Sequence, residues 1–229
     1  MKKNNEGITL IEMIVVVAIM GIMLGIFGYS LSMISHRRVS NNALSIKQSI
    51  QVTQTFNKSQ GNTNNVYEAT TKEKEANGNA AKLKQASDYR EKGLCKMKIV
   101  GPTDDNSYPY IYIYLSDSVS NLDDDNTCEI AGGSQGKVRL EKKTKIIVTY
   151  KSGTTETDVE IKKGTWADIR TSRITGGFIA SKCSTSDNPG VPVKIEVSDG
   201  DRTITLTLST FTGLVTKEEG KKDEKSEEN

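Results

Sequence analysis

Histidine is nearly absent from this chain. The one present, His36, stands beside Arg37 and Arg38 at the edge of an apolar run. A Ser-His-Asp arrangement needs its histidine in an enclosed site, so that chemistry is not expected, and His36 reads as an interfacial residue. Cysteine is scarce as well: there are three, Cys95, Cys128 and Cys183. They show no C-x-x-C spacing and have no histidine partners, which argues against a zinc centre. Three thiols cannot all pair within one chain. Cys95–Cys128, flanking an acidic connection, is the favoured disulfide, and fully reduced buried thiols are the open alternative. A strong excess of one charge is also missing. With 31 Lys+Arg against 29 Asp+Glu, the formal net charge is +2, too small a field for strong nonspecific nucleic-acid binding. No internal repeat is evident. No catalytic residue, cofactor or enzymatic activity is expected from what remains.

What the chain does have is one long apolar run. From Ile8 to Ser35 the single ionisable side chain is Glu12; Lys2, Lys3 and Glu6 precede the run, and His36, Arg37 and Arg38 follow it. As a helix this stretch would be about 42 Å long, more than the about 30 Å of a hydrocarbon core. Basic residues at both ends leave the orientation undecided. A cleaved secretory signal fits poorly, because the apolar core is too long, carries an acid and is not followed by an A-x-A pattern. An ordinary single-pass anchor would make Glu12 a tolerated interfacial residue near the end of the span, although a carboxylate near a bilayer interior is disfavoured by about 2.5–3.5 kcal/mol.

The residues Gly7-Ile8-Thr9-Leu10-Ile11-Glu12, after a short basic leader, closely resemble the class III signal of type IV pilins and pseudopilins. The resemblance covers about residues 2 to 35. It implies cleavage between Gly7 and Ile8 by a prepilin peptidase, N-methylation of Ile8, and assembly through the N-terminal helix. Ile8 departs mildly from the family, which more often has an aromatic first mature residue. Cleavage would create an α-amino group on Ile8, positively charged at neutral pH. Glu12 of one subunit could then pair with that amine on its neighbour. An unpaired charge is costly away from water, so the pair would disfavour wrong registers. Gly21 and Gly25 add a G-x-x-x-G pattern suited to close helix packing. Glycine is also common in membrane helices generally, and Gly28 follows in the same run.

Beyond the run, Val39, Ala43, Ile46 and Ile50 make one apolar stripe at helical spacing, with the helix ending near Lys58. Residues 57–65 read as a loop, and the polar stretch 66–93 as either short helices or a flexible excursion. Strand patterns follow from Cys95. "YPYIYIYL" puts Tyr108, Tyr110, Tyr112 and Tyr114 on one face, expected to lie under the 66–93 region, with a subunit contact as the alternative. "KVRLE", "KIIVTYK" and "TDVEIKK" come next, the last two joined by a turn at Ser152–Thr155. "VKIEV" and "RTITLTL" flank a hairpin signal at Ser198–Asp201, with Val193, Ile195, Val197, Ile204, Leu206 and Leu208 facing the core.

The expected fold is therefore α+β: a long N-terminal helix packed against an antiparallel sheet. The expected division is a leader at 1–7, a transmembrane and filament-core helix at 8–35, a globular head at 36–216, and a disordered charged tail at 217–229. In the acidic connection "NLDDDNTCE", a solvated turn is the default and calcium held by Asp123, Asp124 and Asp125 a weak alternative. The expected function is a structural subunit, favoured as a minor pilin because the head is large, resident in the inner or cytoplasmic membrane before it enters an extracellular filament. A pseudopilin of a type II secretion or DNA-uptake machine is the near alternative. A membrane-anchored binding protein that never assembles is the alternative of another class. Expected partners are the peptidase, other pilin subunits, the membrane and the assembly machinery, with nucleic acid not expected for the isolated chain.

Overall fold

The computed structural model describes residues 10–59, 79, 92–116, 122, 125, 128–131 and 137–221. The chain divides into two compact units, Met1–Arg37 and Arg38–Asn229. One helix, α1 (Leu10–Ser59), contributes to both. Within the second unit its apolar stripe, Val39, Ala43, Ile46 and Ile50, is buried throughout. Ile46 and Ile50 are fully inaccessible, a burial that contributes about 1.5–3 kcal/mol per side chain.

Polar residues share that buried face. Asn42, Ser49, Thr53 and Asn57 are buried with the aliphatic stripe, and hydrogen bonds account for their place there. Thr53 Oγ1 donates to Ser49 O at 2.9 Å, the local back-bond open to a helical threonine. Asn57 joins the helix to strand β1 (Lys92–Val100). Its Oδ1 accepts from Cys95 N at 2.8 Å while its Nδ2 donates to Cys95 O at 2.9 Å and Thr171 Oγ1 at 2.8 Å. Asn42 repeats the arrangement on Glu141, accepting from its N–H at 2.7 Å and donating to its carbonyl at 3.1 Å and to Thr144 Oγ1 at 2.7 Å. Gln54 Nε2 donates to Gly176 O at 3.0 Å and Gly213 O at 2.7 Å. Gly213 has φ of 71°, and a Cβ there would collide with Gly176 O and the Gln54 amide, so glycine is required at this junction.

The strands form one branched antiparallel system. The main path runs β12-β11-β10-β9-β7-β1-β2-β3. Its members, besides β1, are β2 (Tyr110–Leu115), β3 (Glu129–Ile130), β7 (Trp166–Ser172), β9 (Ser181–Cys183), β10 (Ser186–Ser198), β11 (Arg202–Leu208) and β12 (Val215–Lys221). Off this path, β4 (Val138–Arg139) pairs with β2, β8 (Phe178–Ile179) with β7, and the hairpin β5 (Lys145–Ser152)–β6 (Thr155–Glu160) with β10. Strand β10 belongs to both arms: residues 186–190 pair with β9, residues 191–198 pair with β5, and residues 194–198 pair with β11 as well. Met97, Ile99, Ile111, Ile146, Val148, Ile169, Ile195 and Leu206 form a continuous core with the α1 stripe.

Several expectations need correction. Val193 is only half-buried, because a register shift between Pro192 and Lys194 makes it the extra residue of a bulge, and Pro192 turns inward instead. Lys217–Lys221 are not tail: they complete β12, which pairs with β11 from Arg202↔Lys221 to Leu208↔Val215. Charged side chains suit an edge strand, since they oppose pairing with another chain. "KVRLE" yields only the two residues of β4. Strands β7, β8 and β9 carried no expectation. Most of the polar 57–93 region lies outside the described residues, apart from the end of α1, Asn79 and the start of β1.

Candidate functional site

The expected processing residues, Gly7 and Ile8, lie outside the described residues; Glu12 lies in the first turn of α1. The apolar side chains that follow are exposed on every side of the helix: Ile11, Met13, Val16, Ile19, Met23 and Ile26 all belong to the exposed set, and Leu24 reaches 74%. Nothing lies within 4 Å of a Cβ placed at Gly21 or Gly25, so both are open notches on this surface. Burying each large side chain is worth about 1.5–3 kcal/mol, and an apolar surface this extended marks a segment made for lipid or for other helices. Among the described residues no helix is long and apolar enough to cross a membrane. The uninterrupted exposed stretch Met13–Ile26 is by itself shorter than the about 20 residues a span requires.

On the head, the sheet face opposite the core carries a buried ionic layer. Alternation along β1 sends Met97 and Ile99 to the core and Lys96 and Lys98 to the other face. The same rule on β7 sends Ala167 and Ile169 inward and Asp168 and Arg170 outward. Register then aligns Lys96 with Arg170 and Lys98 with Asp168. Lys96, Lys98, Asp168 and Arg170 are all buried. Asp125, from the β2–β3 connection, closes the layer: its carboxylate takes Lys96 Nζ at 2.6 Å and also Lys98 Nζ. Asp168 Oδ2 lies 3.6 Å from Lys96 Nζ and 3.4 Å from the Arg170 guanidinium, while its Oδ1 has no hydrogen-bond partner among the described residues. Lys98 Nζ sits 3.8 Å from the Trp166 ring centre, and Lys96 Nζ lies over Tyr114 at 5.4 Å.

The two carboxyls titrate in opposite directions. Burial raises the pKa of Asp125, but its hydrogen bonds and charge contacts with Lys96 and Lys98 outweigh this and hold it below its ordinary value. Burial of Asp168 prevails over Lys96, Arg170 and Lys98 and leaves its pKa raised. Burial likewise pushes Tyr114 up to about 12, with Asp125 adding to the shift.

These contacts bear on the weak calcium reading. Asp125 is engaged by two ammonium groups, and Asp123 and Asp124 lie outside the described residues. Among the described residues no group of three or more His, Cys, Asp or Glu side chains is placed to hold a metal ion. The tyrosine row does stand opposite Ile111 and Ile113. Its ring centres are 6.2 Å apart for Tyr110–Tyr112 and 6.0 Å for Tyr112–Tyr114, beside the ionic layer.

The favoured disulfide is not formed: Cys95, Cys128 and Cys183 are thiols. Leu115 of β2 pairs with Cys95 on one side and with Glu129, next to Cys128, on the other. Two interstrand spacings separate the cysteines by about 9.5 Å, beyond the about 7 Å that a disulfide bridges without backbone movement. Burial pushes the Cys95 thiol up to about 12, against a lowering contact with Thr53, and burial also raises Cys128.

Against known proteins, residues 2–28 match the prokaryotic N-terminal methylation motif. Neither the curated proteins nor the solved structures provide a match to this chain. Proteins that carry the motif are structural subunits and not enzymes, and the motif implies processing by prepilin peptidase and assembly with other pilin subunits. Residues 2–28 thus carry a motif that corresponds to the class III prepilin signal of the type IV pilin family.

Proposed function

We propose that this protein is a minor pilin: a subunit cut after Gly7, methylated at Ile8, held in the membrane by residues 8–35, and then drawn into an extracellular filament. The observation that carries this reading is the change of character along α1. Its apolar residues from Ile11 to Ile26 are exposed all round, whereas from Val39 onward an apolar stripe along one face is buried. The first half needs lipid or neighbouring helices; the second is a wall of a separate folded unit. The size of the head supports a minor over a major subunit, because a large head complicates dense packing. Glu12 acts as the register device, its carboxylate meeting the Ile8 amine of a neighbouring subunit.

Mass analysis of the N-terminal peptide should find a chain beginning with methylated Ile8, and Gly7→Val should retain the leader. Glu12→Ala and Glu12→Gln should both be cleaved normally yet enter sheared filaments far less than the native chain. Native protein that begins at Met1 would refute the processing step. Equal incorporation of all three forms would refute the register role of Glu12. Cleaved protein that stays in the membrane fraction, with none in sheared filaments, would favour a pseudopilin of a secretion or DNA-uptake machine.

A further inference from the structure

Charge on the head is unevenly placed. The stretch Lys137–Lys145, "KVRLEKKTK", has five cations and one acid, and its fold sets it beside Asn42 of α1. Arg139 lies in β4; Lys142 and Lys143 follow in the turn that Asn42 clamps through Glu141 and Thr144. Lys143 adopts φ of 62°, the one described non-glycine residue in the left-handed region. A lysine gains nothing there locally, and such strain is retained where surrounding structure or function requires it. Arg139 and Lys142 flank the Tyr108 ring at 4.5 and 4.4 Å. The β6–β7 turn brings Lys162 and Lys163, both exposed, to the same end, where Ile161 N bonds Ile146 O at 2.8 Å.

Opposing charges at this end are fewer among the described residues. Asp104 and Asp105 lie on the neighbouring loop, where Asp104 Oδ1 caps its own turn at Asn106 N. Glu141 is half-buried, and Glu160 is taken by Lys145 at 3.8 Å. Asn42 follows Ser35 by seven residues in the chain. If residues 8–35 span a bilayer, as proposed above and as this inference requires, the chain tethers this end of the head close to its surface.

We propose that this basic end of the head docks on anionic phospholipid headgroups, holding the precursor's head against the membrane until extraction. A cation close to an anionic surface gains about 1 kcal/mol, a factor of about five in occupancy. The full chain in nanodiscs of phosphatidylcholine, with or without phosphatidylglycerol, tests this by lysine acetylation read by mass spectrometry. With phosphatidylglycerol at low salt, Lys143, Lys162 and Lys163 should acetylate about fivefold more slowly, while Lys151 and Lys217, on other parts of the sheet, should not change. Salt near 1 M, where the Debye length falls to about 3 Å, should abolish the protection. Lys143→Glu combined with Lys163→Glu should restore Lys162 reactivity while leaving the circular dichroism spectrum unchanged. Equal rates in both lipids, or protection that persists at high salt, would overturn the docking while the chain's retention in the disc leaves membrane residence standing. A chain that does not enter the discs overturns both. Protection that instead rises with protein concentration in phosphatidylcholine alone would assign the surface to another copy and overturn lipid docking.

Discussion

Asn57 does work on α1 that its hydropathy hides. Its amide satisfies both backbone groups of Cys95, a residue 1% exposed, and Thr171 as well. Asn57→Ala would leave a buried N–H and C=O unmatched, at about 1–3 kcal/mol for each orphaned group. Urea unfolding of residues 38–221 should therefore show a loss of at least about 2 kcal/mol relative to the native sequence. Asn57→Leu, which fits the apolar pattern of the stripe better, should be no less destabilising. Asp125 makes a second residue-scale prediction. Its native pKa lies below the ordinary 3.8, so its contribution is fully present above that value and is lost as pH falls through the lower native pKa. Asp168, raised instead, works the other way: the native state takes up its proton first, which favours folding on acidification. Denaturation followed from pH 5 to pH 2 should show Asp125→Asn losing less stability than the native chain over the acid part of that range. Thiol chemistry follows burial: Cys95, raised to about 12, should resist alkylation in the folded protein, and Cys128, half-exposed, should react first.

Among the elements, β12 decides where the head ends. Among its residues of described burial Val215 alone is buried, and seven backbone pairings join the strand to β11. Residues 38–221 should fold cooperatively, whereas 38–216 should melt lower, because β11 would lose its partner and expose Leu206 and Leu208 at a new edge. Comparing the two thermal transitions by circular dichroism checks this; identical midpoints would mean that β12 adds nothing. The α1 clamps act at this scale too. Asn42, Gln54 and Asn57 each bond to a different stretch of sheet or turn. Together they fix helix register in a way an aliphatic stripe, which tolerates sliding, does not.

At the scale of the whole chain, sequence and tertiary structure determined different things. The resemblance to the prepilin signal was legible directly: Gly7, Glu12 and the apolar run lie in one short contiguous stretch, so no folded context is needed to see them. The α1 stripe and the strands β2, β5, β6 and β11 were legible for a related reason, since helical and alternating periodicities record which face each side chain must bury. What eluded sequence reasoning depends on partners far along the chain. Strand β7 went unread: its Asp168 and Arg170 interrupt any apolar pattern, and such a charged pair is buried only when Lys96, Lys98 and Asp125 arrive from 40 or more residues away. Lys217–Lys221 looked like tail because an edge strand takes its order from the neighbour's backbone, which carries no signature in its own side chains. Between a Cys95–Cys128 disulfide and reduced thiols the sequence could not choose, because sequence distance says nothing of an intervening strand. The N-terminal address is written in local chemistry; the head's polar interior, its last strand and its basic end exist only once distant segments meet.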